Sequence, residues 1–129
     1  MTSIRLNPPD SAAPGGAYTH GIMTPAGGTW LHISGQIGLL PDGALASGFA
    51  GQARAALTNL AAVLKAANMD VNHLVKVTTF LLDAGDLKEL VPIRTEFLGA
   101  ARPASTLLVV KALAKAEWLI EIEAVAHRD

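Results

Sequence analysis

The chain contains no cysteine. That excludes disulfides, cysteine-bearing zinc sites and thiol catalysis, and it fits a reducing compartment. Charge is scarce too. Asp, Glu, Lys and Arg make up 16% of the 129 residues, against roughly 25% in an average soluble domain. The ten Lys and Arg residues are scattered and the formal net charge is −1. No basic stripe for a phosphate backbone is present, so nucleic acid is not an expected partner. No apolar run approaches the ~20 residues that span a bilayer, and the first sixteen residues lack the apolar core of a signal peptide. A cytoplasmic protein with no membrane attachment is the expectation.

Several catalytic signatures are also missing. The four histidines, His20, His32, His73 and His127, do not fall at metal-ligand spacing. The glycines in Ser34-Gly-Gln-Ile-Gly38 and Pro25-Ala-Gly-Gly28 make no phosphate loop, and neither Ser34 nor Ser105 sits in a nucleophile-elbow context. A metal site is therefore not expected, and a nucleotide site has only weak support.

What is there is hydrophobic: 50% of the residues. A chain of this length makes one domain, 1–129, and buries roughly two thirds of its unfolded surface. The first 28 residues are rich in proline and glycine, with extended pieces at 4–6 and near 17–23. Trp30–Ser34 reads as a strand, and 35–43 as a loop or irregular strand end. Phe49, Ala53, Ala56, Leu57, Leu60, Leu64 and Ala67 recur at helical spacing, with Ser47 as N-cap and Asn68 as a left-handed stop. Gln52, Arg54, Asn59 and Lys65 fall on the opposite face. Val75–Leu82 is a β-branched strand. Asp86 is placed to cap a second helix with Glu89 in the capping-box position; Pro92 kinks it or restarts it, and Gly99 ends it. Thr106–Val110 is an apolar strand. In the last strand Trp118, Ile120, Ile122, Ala124 and Ala126 alternate with Leu119, Glu121, Glu123 and Val125. The order implies an α+β domain, a sheet with two helices packed on one face. The other face needs a cover, and a second copy of the chain is the obvious one.

Glu121 and Glu123 share one face of a strand otherwise built from Leu and Val. One reading is a solvated sheet edge. The other is that one carboxylate lines a cleft as a general acid or base.

Several segments, in order, resemble the RidA (YjgF) family. They are Ala13-Pro-Gly-Gly-Ala-Tyr18, Trp30-Leu-His-Ile-Ser-Gly-Gln-Ile37, Ala56-Leu-Thr-Asn-Leu60, Val75-Lys-Val-Thr-Thr-Phe-Leu81, Pro103-Ala-Ser-Thr-Leu107 and Ile120-Glu-Ile-Glu-Ala-Val-Ala126. The resemblance covers nearly the whole chain. It implies a chorismate-mutase-like (RidA-type) fold with a mixed sheet, and a homotrimer whose sheets form a central barrel. It also implies hydrolysis of reactive 2-imino acids or enamines to 2-keto acids and ammonia, without cofactor, in clefts between subunits. Carried over, Tyr18 lines the cleft, Gly35 offers backbone groups, Ser105 and Thr106 form the floor, and Glu121 activates water. The family's arginine of Pro-Ala-Arg, a fork for the substrate carboxylate, is here Ser105, and Val91 stands where an asparagine is usual. Arg94 and Arg102 are the candidate replacements; surface arginine is the alternative for each. The chain is then a deaminase with a relocated anchor or altered substrate, a noncatalytic binder or sensor of small carboxylates, or an RNA-cleaving or translation-inhibiting protein, which the acidic pI of about 6.4 and the absence of a basic stripe disfavour.

Overall fold

A computed structural model describes residues 2–129. Six strands and two helices follow one another: β1 (Ile4–Leu6), β2 (Gly21–Met23), β3 (Thr29–Gln36), α1 (Gly48–Ala66), β4 (Leu74–Leu81), α2 (Leu87–Leu98), β5 (Ala104–Val109) and β6 (Ile120–Arg128). β1 and β2 make a small antiparallel ribbon, and the main sheet runs β3-β6-β4-β5. β6 is antiparallel to both neighbours, whereas β4 and β5 are parallel, joined through α2.

Both helices cover one face of that sheet. The buried stripe of α1, Phe49, Ala53, Ala56, Leu57, Leu60 and Leu64, meets Ile120, Ile122, Ala124 and Ala126 of β6 and Val77 and Leu81 of β4. The alanines keep helix and sheet close. On the other face stand the alternate residues Lys76, Thr78 and Phe80 of β4 and Glu121, Glu123 and Val125 of β6, none of them buried. Trp30 and Leu108 lie on this face with more than two fifths of their surface exposed. No helix among the described residues is long and apolar enough to cross a membrane.

Three expectations need correction. Gln52 lies inside, not on the outer face of α1. It is 3% exposed, donates to Glu117 O at 3.1 Å and accepts from Leu119 N at 2.9 Å. These two bonds satisfy a buried amide and pin the segment entering β6. Asp86 makes no side-chain cap, and no capping bond from Glu89 accompanies it. Asp83 caps instead, accepting from Gly85 N at 2.8 Å and opening a 3₁₀ turn that runs into α2. Pro92 does not restart α2, which runs as one helix through it to Leu98 and stops at Gly99 with φ 58°. As expected, Asn68 ends the α1 region in the left-handed conformation, with φ 56°.

Candidate functional site

Two groups of the expected residues lie on opposite sides of the main sheet. On the helix side, Ser105 of β5 and Arg94 of α2 share a hollow with Ala17, Leu57, Phe97 and Pro103. Its interior measures about 20 Å³, room for a single water, so a larger ligand would rest at its mouth. The N-terminal segment is drawn up to this place because Thr19 N donates to Pro103 O at 3.1 Å and Thr19 bridges Ala104. Tyr18 is thereby set beside Arg94: a Cβ built on Gly16 would lie 3.7 Å from Tyr18 Cδ1 and 3.9 Å from Arg94 Nη2. The Tyr18 hydroxyl accepts from Gly15 N at 3.3 Å, and its ring stands edge-on to His20.

Arg94 is not a surface arginine. Its guanidinium is half-buried, its Nε is buried with no hydrogen-bond partner among the described residues, and burial lowers its pKa from the ordinary value. A guanidinium stays cationic even so. A desolvated cation with an unsatisfied donor, at the mouth of an apolar hollow, is arranged to receive an anion. Thr19 Oγ1, next along from Tyr18, is also buried without a partner among the described residues.

On the open side, Glu121 lies over Gly35. The register of β3 on β6 shifts between Ile33 and Gln36, and this bulge turns the Gly35 backbone toward the carboxylate. The loop after the bulge is held from α1, where Asn59 Nδ2 donates to Ile37 O at 3.1 Å and to Leu39 O at 2.8 Å. Glu123 stands farther along the same face, bordering a shallow depression with His32, Lys76 and Thr78.

Ser105 and Thr106 do not form one floor. Successive strand residues point to opposite faces; Ser105 enters the helix-side hollow, and Thr106 turns to the open side, accepting from Lys76 Nζ at 2.6 Å. Lys76 was not singled out in the sequence, although the alternation of Val75–Thr79 places it on that face. Arg102 is not brought to Ser105 either. It lines a separate cleft and donates to Gly99 O and Ala101 O, both at 2.7 Å. Val91 is exposed on α2. Among the described residues no cluster of His, Asp or Glu could hold a metal ion.

An α+β fold with a mixed four-stranded sheet, two helices on one face and a glycine-backed glutamate on the other defines a Rid-type protein. The family model described as Endoribonuclease L-PSP matches residues 9–128. A RutC family protein of Pyrococcus horikoshii is 36% identical over 118 residues, 90% of each chain. The human 2-iminobutanoate/2-iminopropanoate deaminase is 39% identical over 118 residues, 88% of this chain and 83% of that one. Among solved structures, a Rid-family protein of unknown function from Yersinia pestis superposes with TM-score 0.88 at 30% identity, covering 99% of this chain and 100% of that one. RidA from an Antarctic Psychrobacter gives TM-score 0.75 at 28% identity, covering 97% and 99%. The chain belongs to the RidA (YjgF) family.

Proposed function

We propose that the chain hydrolyses small 2-imino acids, or the enamines that tautomerise to them, to 2-keto acids and ammonia, in clefts completed between the subunits of a homotrimer. The observation that carries this reading is Arg94, half-buried beside Ser105 and Tyr18 with a donor left unsatisfied. It supplies the cationic fork that Ser105 lacks. The similarity to the human deaminase supports the same chemistry.

In this reading Arg94 holds the substrate carboxylate, while the Tyr18 and Ser105 hydroxyls and the Gly35 backbone orient the rest. Water adds to the imine carbon as the C=N π electrons move to nitrogen. Glu121 takes the proton from that water and returns it to nitrogen. The proton of the carbinolamine hydroxyl is then carried to the same nitrogen, the C–N bond breaks, ammonia leaves and the carbonyl forms. Thr106 lies on the Glu121 side and belongs with that half.

Arg94 and Glu121 face opposite sides of one sheet, so a single chain cannot present both to one small ligand. A heterologous interface, one subunit's open face against the next subunit's hollow, brings them together and covers Trp30 and Leu108. Mixing subunits tests this directly. Arg94→Gln and Glu121→Gln trimers, each inactive, should regain about a quarter of wild-type 2-keto acid formation when reassembled at random from equal parts, the share expected for a heterologous two-subunit site. No recovery from properly reassembled trimers would sink the shared site.

A second reading, a noncatalytic carboxylate binder, draws on the hollow being complete within one chain while Glu121 is not part of it. Binding of 2-ketobutyrate with no ammonia release from freshly generated 2-iminobutanoate would favour that reading.

A further inference from the structure

Away from both halves of this site lies a cleft of about 360 Å³. It is walled by four parts that the sequence holds far apart: the β1–β2 ribbon, the 3₁₀ turn at Val71–His73 leading into β4, the loop after α2, and the end of β6. Arg5, Arg102 and Arg128 each come from a different one of these and meet in the cleft. Asp129 supplies the one acidic side chain among the lining residues.

Part of this cluster braces the backbone. Arg5 Nη2 donates to Ala100 O at 3.1 Å, and Arg102 Nη1 donates to Gly99 O and Ala101 O. Those bonds engage one nitrogen of each guanidinium, and each has three nitrogens to donate from. Arg128 Nε is buried without any acceptor among the described residues. His73 adds a donor: its Nδ1 accepts from Asp70 N at 3.0 Å, so the neutral ring carries its proton on Nε2. Gathering three guanidiniums in a protein this sparing of charge costs repulsion, and a brace for one loop does not need the third. An anion with several oxygens resolves both problems, because it offsets the charge and accepts the idle donors.

We propose that this cleft is a second small-molecule site, one that binds a phosphate monoester. Three guanidiniums approaching from separate segments suit the several oxygens of a phosphoryl group. A single carboxylate is filled by one planar fork. The cleft is also larger than a phosphate ion needs, and Ile22, Leu74 and Ala101 give it an apolar wall for an organic body.

Calorimetric titration of the wild type, at constant ionic strength, tests the assignment with glycerol 3-phosphate, inorganic phosphate and succinate. Saturable binding of one glycerol 3-phosphate per chain, tighter than inorganic phosphate and much tighter than succinate, is the expected result. Arg128→Gln should weaken it about tenfold or more, the effect of losing one charged donor. Arg102→Gln should do the same, which guards against a folding defect at β6 in the first variant. Arg54→Gln, an exposed charge paired with Glu96 at 3.8 Å, should leave binding unchanged. No saturable binding by the wild type, equal loss in Arg54→Gln, or succinate binding as tight as glycerol 3-phosphate would overturn the phosphoryl site. Inorganic phosphate binding as tightly as glycerol 3-phosphate would overturn the monoester.

Discussion

The side chain of Glu121 occupies the space that a side chain at position 35 would need: a Cβ built on Gly35 would come within 2.7 Å of Glu121 Cδ and 2.9 Å of Cγ. Glycine at 35 is therefore required by close approach, and its φ is not in the left-handed region. Gly35→Ala should leave the fold intact, because the colliding atoms belong to a flexible side chain that can swing away. Its Tm should fall by no more than a few degrees. Deaminase kcat/KM should drop by about tenfold or more as the proton carrier is displaced. A melting curve beside a progress curve separates the two; unchanged turnover would detach Glu121 from the chemistry.

Arg94 should matter for function against stability. A half-buried guanidinium with an idle donor is a local cost to folding. Arg94→Met keeps much of its volume and removes the charge, so Tm should hold or rise. Binding of 2-ketobutyrate should weaken about 10- to 100-fold, the loss of a charge-assisted contact. A clear fall in Tm with carboxylate binding retained would return Arg94 to a structural role.

Ser105→Arg alone should add little, because Arg94 already stands at the same hollow and a second cation beside it is repelled. In the Arg94→Met background the same change should restore part of the lost kcat/KM. The comparison is a double-mutant cycle measured by 2-keto acid formation. Additive effects of the two substitutions would mean that they serve different sites.

The open sheet face should be an interface between copies. Light scattering on a size-exclusion column should give about three times the chain mass of 13.4 kDa. Leu108→Lys, which places a charge where an apolar residue is 46% exposed, should lower the mass and abolish deamination together. Full activity in a Leu108→Lys monomer would contradict a shared site.

Asp86 gives a pH-dependent prediction. Its pKa is raised by burial first, then by Asp83 and Glu89 nearby. A carboxyl whose folded pKa exceeds its unfolded value binds its proton more tightly when folded. It therefore destabilises the fold at neutral pH, and that penalty fades as pH falls and it protonates. Asp86→Asn should raise Tm at pH 7, with the gain shrinking as the pH is lowered through the carboxylate range. A gain independent of pH would point to capping rather than charge.

Most elements and their buried faces can be read from the order of residues alone. The 3.6-residue recurrence from Phe49 to Leu64 and the alternation of Ile120, Ile122, Ala124 and Ala126 state which side of each element is buried, because burial period follows backbone geometry. The sequence also carried the family, through six short segments in order. What it did not carry was which distant residues meet. Arg94 and Arg102 are alike in sequence terms, each an arginine within about ten residues of Ser105. The turn of α2 sends the first into the hollow, and the loop after Gly99 sends the second to Arg5 and Arg128 on another wall. Gln52 looked like an outward residue because it falls on the polar side of α1. Only the return of the segment before β6 supplied the two backbone partners that make its burial tolerable. Ser105 and Thr106, adjacent in the chain, were parted by the pleat of β5. Local periodicity is a property of neighbours in sequence. A site is a property of neighbours in space, and those are set by how strands register and where helices cross the sheet.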